Sequence, residues 1–129
     1  MRLTRLVPLI ISLTSCEPAP LYLDVRQESA GLVAEVYETW WFGLRSSEVP
    51  CVHDMTLTRN SDAKVVWRTV VLNPMQVQCN HLRFLIVGKT PKGFYNEVPL
   101  SGALSSDSYT LAVRGIGDGS LDFSLPLNS

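Results

Sequence analysis

The stretch Ser108-Tyr109-Thr110-Leu111-Ala112-Val113-Arg114-Gly115-Ile116-Gly117-Asp118-Gly119-Ser120-Leu121-Asp122-Phe123-Ser124 decides the fold. Its two halves, 108–115 and 120–127, read as strands joined by Gly115-Ile116-Gly117-Asp118-Gly119. A connection this rich in glycine suits a hairpin, because glycine reaches the positive φ angles that tight turns demand. The two strands should therefore pair antiparallel.

Working outward from that hairpin, the chain from Leu21 onward alternates mostly with period two, broken by turn residues at intervals of roughly ten, the signature of an antiparallel sandwich or barrel. Leu21, Leu23 and Val25 fall on one face of a strand. Met55 and Leu57 alternate with Thr56 and Thr58, and 64–72 is a β-branched run ending at Asn73-Pro74. In 81–88, Leu82, Phe84 and Ile86 oppose Leu85 and Val87, which predicts a strand buried on both faces. One segment reads two ways. Leu32, Val33, Val36, Tyr37, Trp40, Trp41 and Leu44 fit a helical face with Ser29 as its cap. The same residues favour strands by propensity, Gly31 stands early, and the neighbourhood is all β, so a strand is expected here with a bulge at Glu38.

The run Leu104-Ser105-Ser106-Asp107-Ser108-Tyr109-Thr110-Leu111-Ala112-Val113 resembles the corner of fibronectin type III and other immunoglobulin-like sandwiches. That resemblance implies that Tyr109 hydrogen-bonds back across the corner. The fold expected is all-β: a single immunoglobulin-like antiparallel sandwich of about seven strands over residues 21–129.

With 129 residues the chain has room for one domain, and 46% hydrophobic against 18% charged residues marks it as globular. Its net charge is -1 and its eleven basic residues are scattered singly, which argues against nucleic-acid binding. The N-terminus is different in kind. Arg2 and Arg5 precede an apolar run too short for a membrane span, and small residues follow it, which is the layout of an export signal.

Leu13-Thr14-Ser15-Cys16 resembles the lipobox of bacterial lipoproteins. The resemblance implies cleavage after residue 15, diacylglyceryl attachment to the Cys16 thiol, and acylation of the new amine. Several acyl chains together anchor stably where one does not. Residues 1–15 are then the signal peptide and 16–20 the lipidated cysteine with a short tether. Removing Arg2 and Arg5 leaves nine basic against twelve acidic residues, a mature net charge of -3. Glu17 stands where the enteric members of that family use Asp for inner-membrane retention, so the outer membrane is the expected address, with the domain facing the periplasm. Glu17-Pro18-Ala19-Pro20 is stiff and, at about 3 Å per residue, reaches some 12 Å.

Two Cys-x-His pairs, Cys51 with His53 and Cys79 with His81, stand twenty-eight positions apart. On a strand, positions i and i+2 share a face, so the four side chains form a possible zinc or copper set. With Cys16 given to lipid, an even pair remains in an oxidising compartment, which favours a Cys51–Cys79 disulfide worth about 3–4 kcal/mol by loop entropy. Unpaired thiols are the third reading.

Other motifs dissolve on inspection. Gly88-Lys89-Thr90 lacks the first glycine of a phosphate loop, since Arg83 stands there, and Pro91-Lys92-Gly93-Phe94 reads as a turn with Gly93 at positive φ. No Gly-x-Ser-x-Gly elbow occurs, and no catalytic residue or cofactor is assigned. Trp40 and Trp41 point to opposite faces if they lie on a strand, so one of them is either covered by a loop or exposed as a partner contact. The function expected is non-catalytic: a membrane-anchored binding or structural module for another envelope protein, as an accessory subunit or an inhibitor of immunity type. Metal binding or delivery through Cys51, His53, Cys79 and His81 is the alternative.

Overall fold

A computed structural model of the chain describes residues 20–39, 43–73 and 78–127. Nine strands form in chain order: β1 Tyr22–Glu28, β2 Gly31–Tyr37, β3 Cys51–Arg59, β4 Lys64–Val71, β5 Asn80–His81, β6 Phe84–Ile86, β7 Phe94–Val98, β8 Ser108–Gly115 and β9 Asp118–Ser124. They make two antiparallel sheets, one ordered β1-β2-β6 and one ordered β7-β4-β3-β8-β9, with β5 pairing the start of β3. The architecture is an all-β sandwich. It has nine strands where about seven were expected, partly because 81–88 does not run as one strand.

Alternation explains the core. Met55 and Leu57 on β3 are fully buried while Thr56 and Thr58 are half-buried. Leu57 lies in register with Trp67 on β4 and Leu111 on β8, all three with no exposed surface, so one row of large side chains crosses the sheet. The Trp67 indole N–H donates to Asn96 Oδ1 at 3.2 Å, which satisfies its only polar group. From the facing sheet Leu23, Leu32, Ala34, Val36 and Leu85 close the core.

The strand expected at 31–37 forms, paired along its whole length with β1, and Ser29 sits in the turn between the two rather than capping a helix. Two expectations are corrected. No bulge marks Glu38. The strand ends there, and Thr39 returns only as an isolated bridge to Arg45. In 81–88 the smaller sheet takes only Phe84–Ile86 while His81 ends β5 of the larger one, and Leu85 and Val87 are buried but Phe84, flanked by Arg26 and Arg83, is 49% exposed.

The glycine-rich hairpin forms with β8 and β9 in full register from Ser108↔Ser124 to Arg114↔Asp118. Its glycines act for a different reason than expected, since none of the three lies at positive φ. A Cβ on Gly115 would meet the carbonyl oxygen of Cys51 at 2.0 Å, and one on Gly119 that of Leu21 at 1.9 Å. Backbone from distant parts of the chain comes too near for any side chain. Gly93, by contrast, has φ +84 in the turn closed by the Phe94 N–H to the Pro91 carbonyl at 3.1 Å.

The registers give the sandwich two unlike ends. At the proximal end β1, β3, β7 and β9 begin while β2, β4 and β8 finish, and the Leu21 N–H donates to the Asp118 carbonyl at 3.0 Å, stitching the two sheets. The distal end carries the β1–β2 and β3–β4 turns and the start of β8.

Candidate functional site

The Cys51 and Cys79 sulfurs are joined in a disulfide at the proximal end. The pairing of β3 with β5 sets His81 opposite Cys51 and Asn80 opposite Val52, so His81 does lie beside the bridge. His53 goes elsewhere. With both sulfurs bonded, the set Cys51, His53, Cys79 and His81 holds no thiolate for a metal, and among the described residues no group of three or more His, Cys, Asp or Glu side chains gathers at ligand distance. His81 instead stands in an open groove of about 770 Å³ with Phe84, Lys89 and Lys92. Cys16, Trp40 and Trp41 lie outside the described residues.

His53 is tied to a buried carboxylate that sequence reading missed. A register shift between Val52 and Asp54, against β8, brings Asp54 opposite Arg114 on the outer face of the larger sheet. Asp54 is 5% exposed. Arg114 donates to its Oδ2 through Nε at 3.0 Å and Nη2 at 2.7 Å, His53 Nδ1 lies 2.6 Å from the same oxygen, and Arg68 Nη2 stands 3.8 Å away. A buried carboxylate must be paired and hydrogen-bonded to stay charged, and three elements' side chains meet that need here. An imidazole fixed by a carboxylate is half of an acid–base dyad. Because the arginine bonds fall on the same oxygen, the group works first as a clamp joining β3 and β8. Among the described residues, the buried Arg68 Nε has no hydrogen-bond partner and only the electrostatic contact with Glu97 Oε1 at 3.5 Å.

The smaller sheet repeats the device on its own outer face. Glu35, 4% exposed in the middle of β2, accepts from Arg45 Nη1 at 2.8 Å and Arg83 Nε at 3.3 Å, with Arg26 Nη1 at 3.8 Å. Burial works against the Arg45 charge, but the bonds to Glu35, the nearby Tyr37 and Asp24 outweigh it and hold its pKa above the ordinary arginine value. The arginines also lie on aromatic rings. The Arg45 guanidinium is 3.9 Å from the Tyr37 centroid, those of Arg26 and Arg83 are each 5.6 Å from that of Phe84, and Tyr22 stacks on Tyr37 at 5.6 Å. Tyr22 and Phe84 remain 40% and 49% exposed. Aromatic side chains held flat by arginines, at little conformational cost, are the composition that protein interfaces favour.

The signal for both clusters was present in the sequence as an acidic residue inside an apolar run, Glu35 within Val33 to Val36 and Asp54 before Met55. Their partners come from segments up to sixty residues away, which no local pattern reveals. Comparison of the chain with protein-family models, with curated proteins and with solved structures gave no match.

Proposed function

We propose that this chain is a lipid-anchored bacterial envelope protein whose sandwich binds another envelope protein without catalysing a reaction, serving as an accessory subunit or an inhibitor. The observation that carries the reading is the arginine-and-aromatic face of the smaller sheet, where Tyr22 and Phe84 stay exposed beside guanidinium groups already oriented by Glu35. Such a surface loses little side-chain entropy on binding. The Cys51–Cys79 bridge supports an oxidising address, as cytosolic thiols are kept reduced. The lipobox resemblance at Cys16 supplies the anchor, and Glu17 favours the outer membrane.

An immunoglobulin-like descent for the sandwich belongs to the same proposal. Two observations support it: the Tyr109 hydroxyl donates to the Ser105 carbonyl at 2.9 Å, as the corner motif requires, and β1, β2 and β6 face β3, β8 and β9, the split of strands seen in those domains.

Photo-crosslinking in the native host tests the binding reading. A benzoylphenylalanine at Phe84 should give one discrete adduct with an envelope protein, lost when Arg45 is changed to Ala. The same probe at Asp122, on the opposite outer face, should give none. Equal adducts from both positions, or none from Phe84, would remove the basis for the proposal. For the anchor, Cys16→Ala should move the protein from the membrane fraction to the soluble periplasm.

A further inference from the structure

The sandwich's exposed apolar side chains are not spread evenly. Among the described residues, Ile116 is 69% exposed, Leu44 61%, Leu72 48% and Val49 41%. They belong to three connections, and all three turn at the proximal end: 43–50, which carries Leu44 and Val49, enters β3, Leu72 follows β4, and Ile116 is the tip of the β8–β9 hairpin. Only Val65, at 37%, is comparable at the distal end. Isolated exposed aliphatics are ordinary on a surface, but four on neighbouring loops of one end form a patch that water alone does not explain.

The tether decides what meets that patch. Leu21 is fixed to the proximal end by its bond to Asp118, and Pro20 before it is exposed. Four residues separate Leu21 from Cys16. Two of them are prolines, so the lipid attachment point lies within about 12 Å of this end. The distal end is the length of β3 farther away, about 30 Å for nine residues. We infer that the proximal end of the sandwich rests on the bilayer, with Ile116, Leu72, Leu44 and Val49 entering the headgroup layer as a second, non-covalent contact beside the lipid. This inference rests on the lipid-anchor reading of Cys16. Glu48 and Asp118 lie at the same end as Arg114 and Lys92, so the contact is apolar rather than electrostatic and should not weaken in salt.

The full-length lipidated protein provides the test. With Cys16 acylated and Cys51–Cys79 bonded, a cysteine placed at an exposed site is the one reactive thiol. A nitrobenzoxadiazole label on I116C or, as the distal control, on S61C is reconstituted into phosphatidylcholine–phosphatidylglycerol vesicles, with and without doxyl-labelled lipid. Flotation is measured first. The expected result is flotation of both proteins and quenching at least about twofold stronger at position 116 than at 61, unchanged at high salt. In L72C, the added change I116D should reduce quenching at 72 while flotation persists. Flotation with equal quenching at 116 and 61 overturns the inference and leaves the anchor standing, with the patch then free for a protein. Failure to float overturns the anchor reading and this inference together.

Discussion

The two ends of the sandwich are held by different chemistry. At the distal end side chains do the joining: Arg59 is paired in two bonds with Asp62, Asn60 bonds Ser108, Ser61 bonds Asp107, and Thr110 reaches both Asn60 and Asp122. At the proximal end a covalent bond and backbone laid against backbone carry the joint, at Cys51–Cys79, at Gly115 on Cys51 and at Gly119 on Leu21, beside the polar clamp of Arg114 and His53 on the buried Asp54. A polar mesh suits permanent contact with water. Covalent and backbone joints use no polar side chains, and the Asp54 carboxylate is buried, which leaves the loops of that end free to display aliphatic ones. The fold's stability and its display of an apolar surface are thus reconciled by moving the cross-links inward.

The largest effect should come from cutting the covalent joint. The double variant Cys51→Ser with Cys79→Ser opens a loop of sequence separation 28 in the unfolded chain, and should lower the unfolding free energy by about 3–4 kcal/mol in a urea titration. That is a large share of what a domain this size retains. A loss under about 1 kcal/mol would mean the proximal end is held by its backbone contacts and the Asp54 clamp without help from the bridge.

Next in size is Gly119→Ala. Its Cβ would stand 1.9 Å from the Leu21 carbonyl oxygen, so β9 and the start of β1 must separate, with a cost of about 1–3 kcal/mol. Because Leu21 links the two sheets, amide exchange at Leu21 and Asp118 should quicken before exchange at Asn60 does. Uniform quickening over both ends would break the division drawn between them.

Tyr109→Phe probes the distal end in the same way. The ring is 1% exposed, stacks on Phe123 at 5.9 Å, and would keep its packing while losing its bond to the Ser105 carbonyl. Loss of about 1 kcal/mol is expected, as for one buried neutral hydrogen bond, measured as a shift of the urea midpoint at unchanged slope. A cost of 3 kcal/mol or more, on the order of the disulfide's, would show the corner to be more than one joint in a mesh.

How much of this was legible in the sequence follows from where each partner lies. The alternation at Met55–Leu57, the strand over 64–71 and the β8–β9 hairpin were readable because period-two patterning is local. Tyr109 was readable through the corner resemblance, which is carried by a short run because the acceptor is only four residues away. The helix-or-strand ambiguity at 31–37 has a structural cause. Leu32, Ala34 and Val36 face the core while Val33 and Glu35 are buried on the other side, Glu35 beneath arginines, so the alternation of that strand is erased by burial on both faces. Gly115 and Gly119 were correctly placed in a hairpin for the wrong reason, since what excludes a side chain there is the carbonyl of Cys51 or of Leu21, far off in sequence. Asp54 and Glu35 were missed on the same ground: their arginines converge from 68 and 114, and from 26, 45 and 83.

The smallest effect, and the sharpest contrast, is in acid. The Arg59 hydrogen bond holds the Asp62 carboxyl below its ordinary value of 3.8, although about half of the side chain is in water. A carboxylate whose native pKa is depressed binds fewer protons folded than unfolded near that value, so its contribution is complete above pH 3.8 and disappears as pH falls through the lowered native pKa. Asp62→Asn should therefore lower the urea midpoint slightly at neutral pH, and the variant and the parent should converge below pH 3.8. The neutral-pH gap should also shrink in high salt, because both partners are in water. The double cysteine variant should behave oppositely, keeping its deficit undiminished through the same acid range and in salt, since a covalent joint does not titrate. If the Asp62→Asn gap survived acid and salt while the cysteine gap closed, the assignment of polar joints to the distal end and covalent ones to the proximal end would be reversed.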